Sequence, residues 1–150
     1  MPAAMLAPDV RDPDHARRRF FTVDEVNAAL PRVREAVHRV RRGLVRAREI
    51  QELTRDMEEY YGDAVDTDAN LERARYGALR EERTGEERAV AESLREIAAV
   101  GGEVKDAERG LVDFYHLRDR EVVYLCWENS EDRVAFWHPL ETGYTGRRPL

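Results

Sequence analysis

Seven apolar residues, Val26, Leu30, Val33, Val37, Val40, Leu44 and Ala47, recur at steps that alternate between four and three. A helix returns every third or fourth side chain to one stripe, whereas a strand would scatter these positions over both faces. The spacing predicts a long helix with a coiled-coil-like seam. Its start is marked in the sequence. Thr22 is a good N-cap, Glu25 three residues on completes a capping box, and Phe21 and Val26 are placed to form a hydrophobic staple. Pro31, about two turns in, lacks an N–H and clashes with the preceding turn, so a kink or break is expected there. Gly62 and Asp63 end the helix.

Residues 62–69 read as a turn, and a second helix is expected from about Asn70 to Val100. Its apolar stripe is thin: Leu71, Ala74, Ala78, Leu79, Val90, Leu94 and Ile97. Thr84-Gly85 predicts an irregularity or a fresh start capped by Thr84, and Gly101-Gly102 is a strong stop. The fold class expected is α+β, with an antiparallel helical hairpin over residues 20–102 and a small β module over residues 103–150. Residues 1–19 mix Pro, Asp and Arg without periodicity and read as a disordered arm.

Charge narrows the functional classes. A net charge of −6 argues against a general nucleic-acid binder. From Arg32 to Arg48 there are seven Arg and one acid; from Glu49 to Glu72 there are nine acids and one base. An antiparallel two-fold partner would set basic halves against acidic halves, and a lone two-helix hairpin buries little. A homodimer with a four-helix core is therefore expected. The single cysteine, Cys126, excludes an internal disulfide framework. Pro8, Asp9 and Asp12 cut short the apolar start at Met1–Ala7, so no secretory signal is read, and no apolar run approaches the ~20 residues of a membrane span. A cytoplasmic protein is expected.

The last forty residues hold both tryptophans and seven of the twelve aromatic residues. Leu111–Leu117, Glu121–Glu128 and Arg133–His138 read as about three antiparallel strands, with Glu103–Lys105 a short possible addition. An Asp119-Arg120 turn sets Phe114 opposite Leu125, Val112 opposite Trp127, and Asp113 opposite Cys126, although two non-glycine residues suit such a turn poorly. A Ser130-Glu131 turn sets Cys126 opposite Ala135, Tyr124 opposite Trp137 and Val123 opposite His138, with a Glu128–Arg133 ion pair.

Phe21-Thr22-Val23-Asp24-Glu25-Val26-Asn27-Ala28-Ala29-Leu30-Pro31 resembles the opening of the family catalogued as domain of unknown function 2203. Gly110-Leu111-Val112-Asp113-Phe114, Leu125-Cys126-Trp127, Trp137-His138 and Gly143-Tyr144-Thr145-Gly146-Arg147 are similar to its C-terminal pattern. Pro139 and Ser130 stand where that pattern has an acidic residue and a glycine. The resemblance implies no activity.

Asp113, His116, Cys126 and His138 are possible zinc ligands, but no Cys-x-x-Cys or His-x-x-x-His pair is present. The expected register points Cys126 and His138 to opposite faces, so neither a metal site nor Cys–His nucleophilic catalysis is expected, and no cofactor is implied. Asp66-x-Asp68-x-Asn70 opens like a calcium loop but has Leu71 in place of the required glycine and Gly77 in place of the required glutamate. The tail is the better candidate. Arg147 can bind a carboxylate or phosphate, or tie the tail to Asp113. Asp113, Trp127, Trp137, His138, Tyr144 and Arg147 are the candidate binding residues. The function expected is a non-enzymatic interaction or adaptor protein presenting an aromatic and arginine surface to a protein or a small anionic ligand. The alternative is a small-molecule- or metal-dependent enzyme using the β module.

Overall fold

The computed structural model describes residues 18–150, so almost all of the expected N-terminal arm lies outside the described residues. The first helix, α1, runs Val23–Tyr61, 39 residues. Thr22 Oγ1 accepts from the Glu25 N–H at 3.1 Å, and the Glu25 carboxylate accepts from the Thr22 N–H at 2.9 Å, the reciprocal box read from the sequence. Pro31 sits inside α1 and does not break it. A short 3-10 turn, Gly62–Ala64, follows.

The second helix, α2, runs Arg73–Ala99. It starts three residues later than Asn70 because Asn70 is occupied in the turn: its Oδ1 accepts from the Glu72 N–H at 2.9 Å, and its side-chain amide donates to the Val65 carbonyl at 3.1 Å. Thr84 caps nothing. Its hydroxyl donates back to the Arg80 carbonyl at 3.1 Å within an unbroken helix. Gly101, at φ +94°, turns the chain out of α2 against Phe21, where a Cβ would come within 2.2 Å of the ring.

The two helices pack in opposite directions, with Arg39 bonded to Glu96, Arg46 to Glu82 and the Tyr76 hydroxyl to Glu58. Two arginines of the basic half of α1, Arg39 and Arg46, are thus matched by acids on α2 of the same chain. The seam is also covered from within. Val26, Leu30, Val33 and Val37 join Ile97, Val112, Phe114, Leu125, Trp127 and Val134 in one core. Further along, Gly43 lies against Val90.

The sheet has five antiparallel strands in sequence order, where about three were expected: β1 Glu103–Asp106, β2 Leu111–Arg118, β3 Glu121–Glu128, β4 Phe136–Pro139 and β5 Arg148–Pro149. β5 comes from the tail, whose folding back adds an edge strand beside β4. The β2–β3 register is the expected one, with Val112 opposite Trp127, Asp113 opposite Cys126 and Phe114 opposite Leu125. Asp119 and Arg120 form the turn by taking positive φ of 49° and 70°.

The β3–β4 register differs from the expected one by a residue. Cys126 faces Phe136, Leu125 faces Trp137 and Tyr124 faces His138. The connection is not a two-residue hairpin turn. It is an irregular loop pinned by α1: Arg34 donates to the carbonyls of Asn129, Glu131 and Asp132 at 3.0–3.1 Å, and Asn27 Oδ1 accepts from the Val134 N–H at 2.9 Å. Glu128 pairs with Arg109 at 3.0 Å, in place of the expected Arg133. Because side chains alternate faces, the one-residue shift moves Trp137 to the helix side and His138 and Phe136 to the outer side.

Three helical glycines separate close packing from open space. A Cβ at Gly43 would meet Val90 Cγ2 at 2.5 Å, whereas Gly77 and Gly85 have nothing within 4 Å. Gly77→Ala and Gly85→Ala should each raise stability by about 0.5–1 kcal/mol. Gly43→Ala should lower it by about 1 kcal/mol, because overpacking of roughly 1–3 kcal/mol outweighs the gain in helix propensity. Urea denaturation of the three variants checks both signs.

Candidate functional site

The outer face of the sheet, away from the helices, is built from alternate residues: Asp113 and Tyr115 on β2, Tyr124 and Cys126 on β3, Phe136 and His138 on β4. A cleft of about 350 Å³ opens over it, bordered by Lys105, Asp113, Tyr124 and His138 and roofed by the 140–144 loop. A larger groove on α1, about 460 Å³, is walled by residues that are all exposed except Leu44 and gathers no buried polar group.

Asp113 and His138 line the cleft and Cys126 lies buried beside them, so three chemically different side chains meet. Asp113, Cys126 and His138 are buried, at 1%, 0% and 2% exposure. One donor atom from each lies within 4.8 Å of the others. His138 Nε2 is 2.9 Å from Asp113 Oδ2, and His138 Nδ1 is 2.7 Å from the Pro139 carbonyl. The second carboxylate oxygen, Asp113 Oδ1, is buried without a hydrogen-bond partner. Burial, then the negative charge of Asp113 and a hydrogen bond to it, push the Cys126 thiol up to about 12. The Tyr124 ring packs against His138 at a 50° tilt with centroids 5.4 Å apart, and its hydroxyl donates to Glu103 at 2.9 Å. Burial and the hydrogen bonds to Tyr115 and Glu103 push the Tyr124 phenol upward, so it stays protonated and donates.

Residues 19–150 match the family described as Uncharacterized conserved protein (DUF2203). The chain belongs to this family. Comparisons with curated proteins and with solved structures returned no match. Every segment that carried the resemblance has a place in the fold. The opening motif is the capped start of α1, and the C-terminal motifs are β2, β3, β4 and the tail.

The structure brings together Asp113, His138 and Tyr144 among the residues read as binding candidates, all three at the cleft. It separates the tryptophans from them. Trp127 is fully buried on the helix side, its Nε1 donating to the Glu131 carbonyl at 3.0 Å under the Arg34 guanidinium. Trp137 packs against the helix-side core, with Arg118 and Arg148 over its ring. Cys126, Tyr124 and Lys105 belong to the cleft region but were outside the candidate set. For Cys126 the signal was present, since its opposition to Asp113 was read correctly. Only the β4 register hid His138 from it. The Asp66/Asp68 pair is bridged by the Arg73 guanidinium.

Arg147 does not pair with Asp113. Its guanidinium donates to both Glu131 carboxylate oxygens, at 2.7 and 2.8 Å, and to the Cys126 carbonyl at 3.1 Å. It also stacks over Phe136 at 4.2 Å. With side chains only 11% and 19% exposed, the Arg147–Glu131 pair ties the tail to the loop that precedes β4. Removing one member leaves a mostly buried charge without its partner. Arg147→Ala should therefore cost about 2–4 kcal/mol by urea denaturation. A double-mutant cycle should show strong coupling to Glu131→Gln and weaker coupling to Asp113→Asn.

Proposed function

We propose that the protein is a non-catalytic binding protein: the helical hairpin is the scaffold and the cleft over Asp113 and His138 holds a small polar ligand. One observation carries this reading. Asp113 is 1% exposed, and one of its carboxylate oxygens lacks a partner at the floor of an open cleft. A buried carboxylate is costly unless its oxygens are satisfied, and convergent polar groups in a cleft are the usual marks of a ligand site. Lys105, paired with Glu103 at 2.8 Å, and Glu141 set both charges at the rim, which suits a polar ligand.

The enzyme alternative is weaker. Cys126 and His138 do share a face, but a thiol at about 12 with no solvent exposure is a poor nucleophile. Display of both tryptophans to a partner is not supported, because Trp127 lies wholly inside the core. Among the described residues no helix is long and apolar enough to cross a membrane. Cytoplasmic residence belongs to the proposal, since a free buried thiol suits a reducing compartment.

The cleft reading is tested by NMR with a panel of small carboxylates, phosphates and divalent cations. Shift changes should cluster at Lys105, Asp113, Tyr124, His138 and Tyr144, and Leu140→Trp, which fills the cleft, should abolish them. Changes scattered over α1, or unaffected by Leu140→Trp, would overturn it.

Association with a second copy is a separate reading, favoured by the apolar side chains left exposed on the distal half of the hairpin. Val45 is 56% exposed, Tyr60 81% and Leu71 99%. Light scattering at micromolar concentration should give a dimer for the wild type. Tyr60→Glu with Leu71→Glu should give a monomer of unchanged helicity. A monomeric wild type rejects it.

A further inference from the structure

Building on the cleft reading, we infer that Asp113, Cys126 and His138 bind one divalent cation of the zinc class, leaving a coordination position open to the cleft. The three donors come from three adjacent strands and point to one face, so the sheet backbone holds the set. Metal–ligand bonds of about 2.0–2.3 Å put tetrahedral donors roughly 3.5 Å apart. The present donors, within 4.8 Å of one another and with Nε2 and Oδ2 at 2.9 Å, reach that spacing by side-chain adjustments of about an ångström, the sulfur moving in and the Nε2–Oδ2 pair opening.

The hydrogen bonds show what the space between these groups requires. The Pro139 carbonyl can only accept, so the His138 Nδ1 at 2.7 Å must carry a proton and donate. A neutral imidazole then presents its lone pair at Nε2, directly toward Asp113 Oδ2 at 2.9 Å. Two lone pairs cannot face each other at that distance with nothing between them. Either a proton or a cation must lie there. A proton satisfies the Nε2–Oδ2 contact alone, Oδ1 keeps no partner of good geometry, and the neighbouring Cys126 S–H is the other donor turned toward Asp113. A divalent cation draws on the imidazole, the carboxylate and the sulfur together. An N–H held by a backbone carbonyl is also the support that commonly fixes the tautomer of a metal-binding histidine.

The donor set selects the metal. One sulfur, one imidazole nitrogen and one carboxylate oxygen suit zinc and neighbouring late first-row cations, not magnesium or calcium, which take oxygen ligands. Binding forms the metal–sulfur bond as the Cys126 S–H proton leaves to solvent, and the thiolate with the carboxylate balances the two positive charges. The nearby Arg147 guanidinium is already neutralised by Glu131. Three protein ligands leave the fourth position to water or to an anion entering past Lys105 and Thr142.

The test uses the full chain, stripped with a chelator and titrated with zinc or cobalt(II). One equivalent of zinc should be retained through gel filtration. The cobalt form should show visible bands of tetrahedral intensity and a sulfur-to-cobalt charge-transfer band. Cys126→Ser should lose that band, and Asp113→Asn and His138→Gln should each weaken zinc binding by at least about 100-fold. Asp66→Asn with Asp68→Asn should change neither. Should Cys126→Ser fail to fold, the wild-type cobalt spectrum decides. No zinc retained by the wild type, or a cobalt spectrum of octahedral intensity without the sulfur band, overturns the inference. If carboxylates or phosphates still perturb the cleft residues of protein that takes no zinc, the metal falls and the cleft reading stands. If neither metal nor organic probe perturbs them, both fall.

Discussion

The loop between β3 and β4 is held from outside itself, and the chemistry of the sheet depends on that hold. Arg34 of α1 donates to three of its carbonyls, Asn27 accepts from Val134, and Glu131 accepts from both the Glu128 N–H and Arg147. The Arg34 and Asn27 contacts join residues 95 to 107 positions apart in the chain, and together with the Glu131 bonds they set where β4 begins. A strand shifted by one residue reverses every side chain. With β4 at its observed register, His138 stands beside Asp113 and Cys126 on the outer face. One residue away, it would sit on the helix side and the three could not meet.

What was legible in the sequence was local. The capping box at Thr22, the helix stops at Gly62 and Gly101 and the Asp113–Cys126 opposition rest on neighbours in the chain or on a two-residue turn. All of them appear in the fold. The β4 register was not legible because the local signal pointed the other way. Tyr124–Trp137 and Glu128–Arg133 are favourable cross-strand pairs, and a Ser130-Glu131 turn would have made both. The structure gives up those pairs, and the Trp127 indole and the Arg34 guanidinium satisfy the loop carbonyls in their place. β5 was missed for a related reason. Gly143, Gly146 and Pro149 argue against regular structure, and it takes long-range contacts, the Arg147–Glu131 tie and the Leu150 N–H donating to the Ala135 carbonyl at 3.0 Å, to bring Arg148 and Pro149 alongside β4.

The α1 seam shows how one pattern admits two partners. A four-three spacing records that a stripe is buried, not what buries it. A second copy would satisfy it, but so do the sheet beneath its first half and α2 along its second. The arginine block behaves in the same way. Arg39 and Arg46 find Glu96 and Glu82 on α2, and Arg48 finds Glu108 at the sheet. Intramolecular partners are held close by the chain, so they take such groups first. What is left for a contact between copies is the exposed apolar side chains, among them Val45, Leu53, Tyr60 and Leu71 on the hairpin and Leu117 and Leu140 on the sheet end.

A similar accounting bears on the outer face of the sheet. Stability alone does not call for an aspartate, a histidine and a cysteine at the centre of that face. A buried ion pair replaced by well-packed apolar residues of similar volume is commonly neutral or more stable. The neighbouring row also shows that this face accepts aromatic packing, since Tyr115 and Tyr124 stack with centroids 4.7 Å apart. The helix-side core, by contrast, closes tightly around Phe114, Leu125 and Trp127, all at 0% exposure. The fold therefore places its hydrophobic packing on one face and, on the other, accepts the desolvation of a carboxylate with one oxygen unpaired beneath an open cleft. Unpartnered buried atoms also occur at Asn27 Nδ2, Asn129 Oδ1 and Arg147 Nε, but at Asp113 the shortfall falls on a carboxylate beneath a cleft, and that is what supports reading this position as one held for its chemistry.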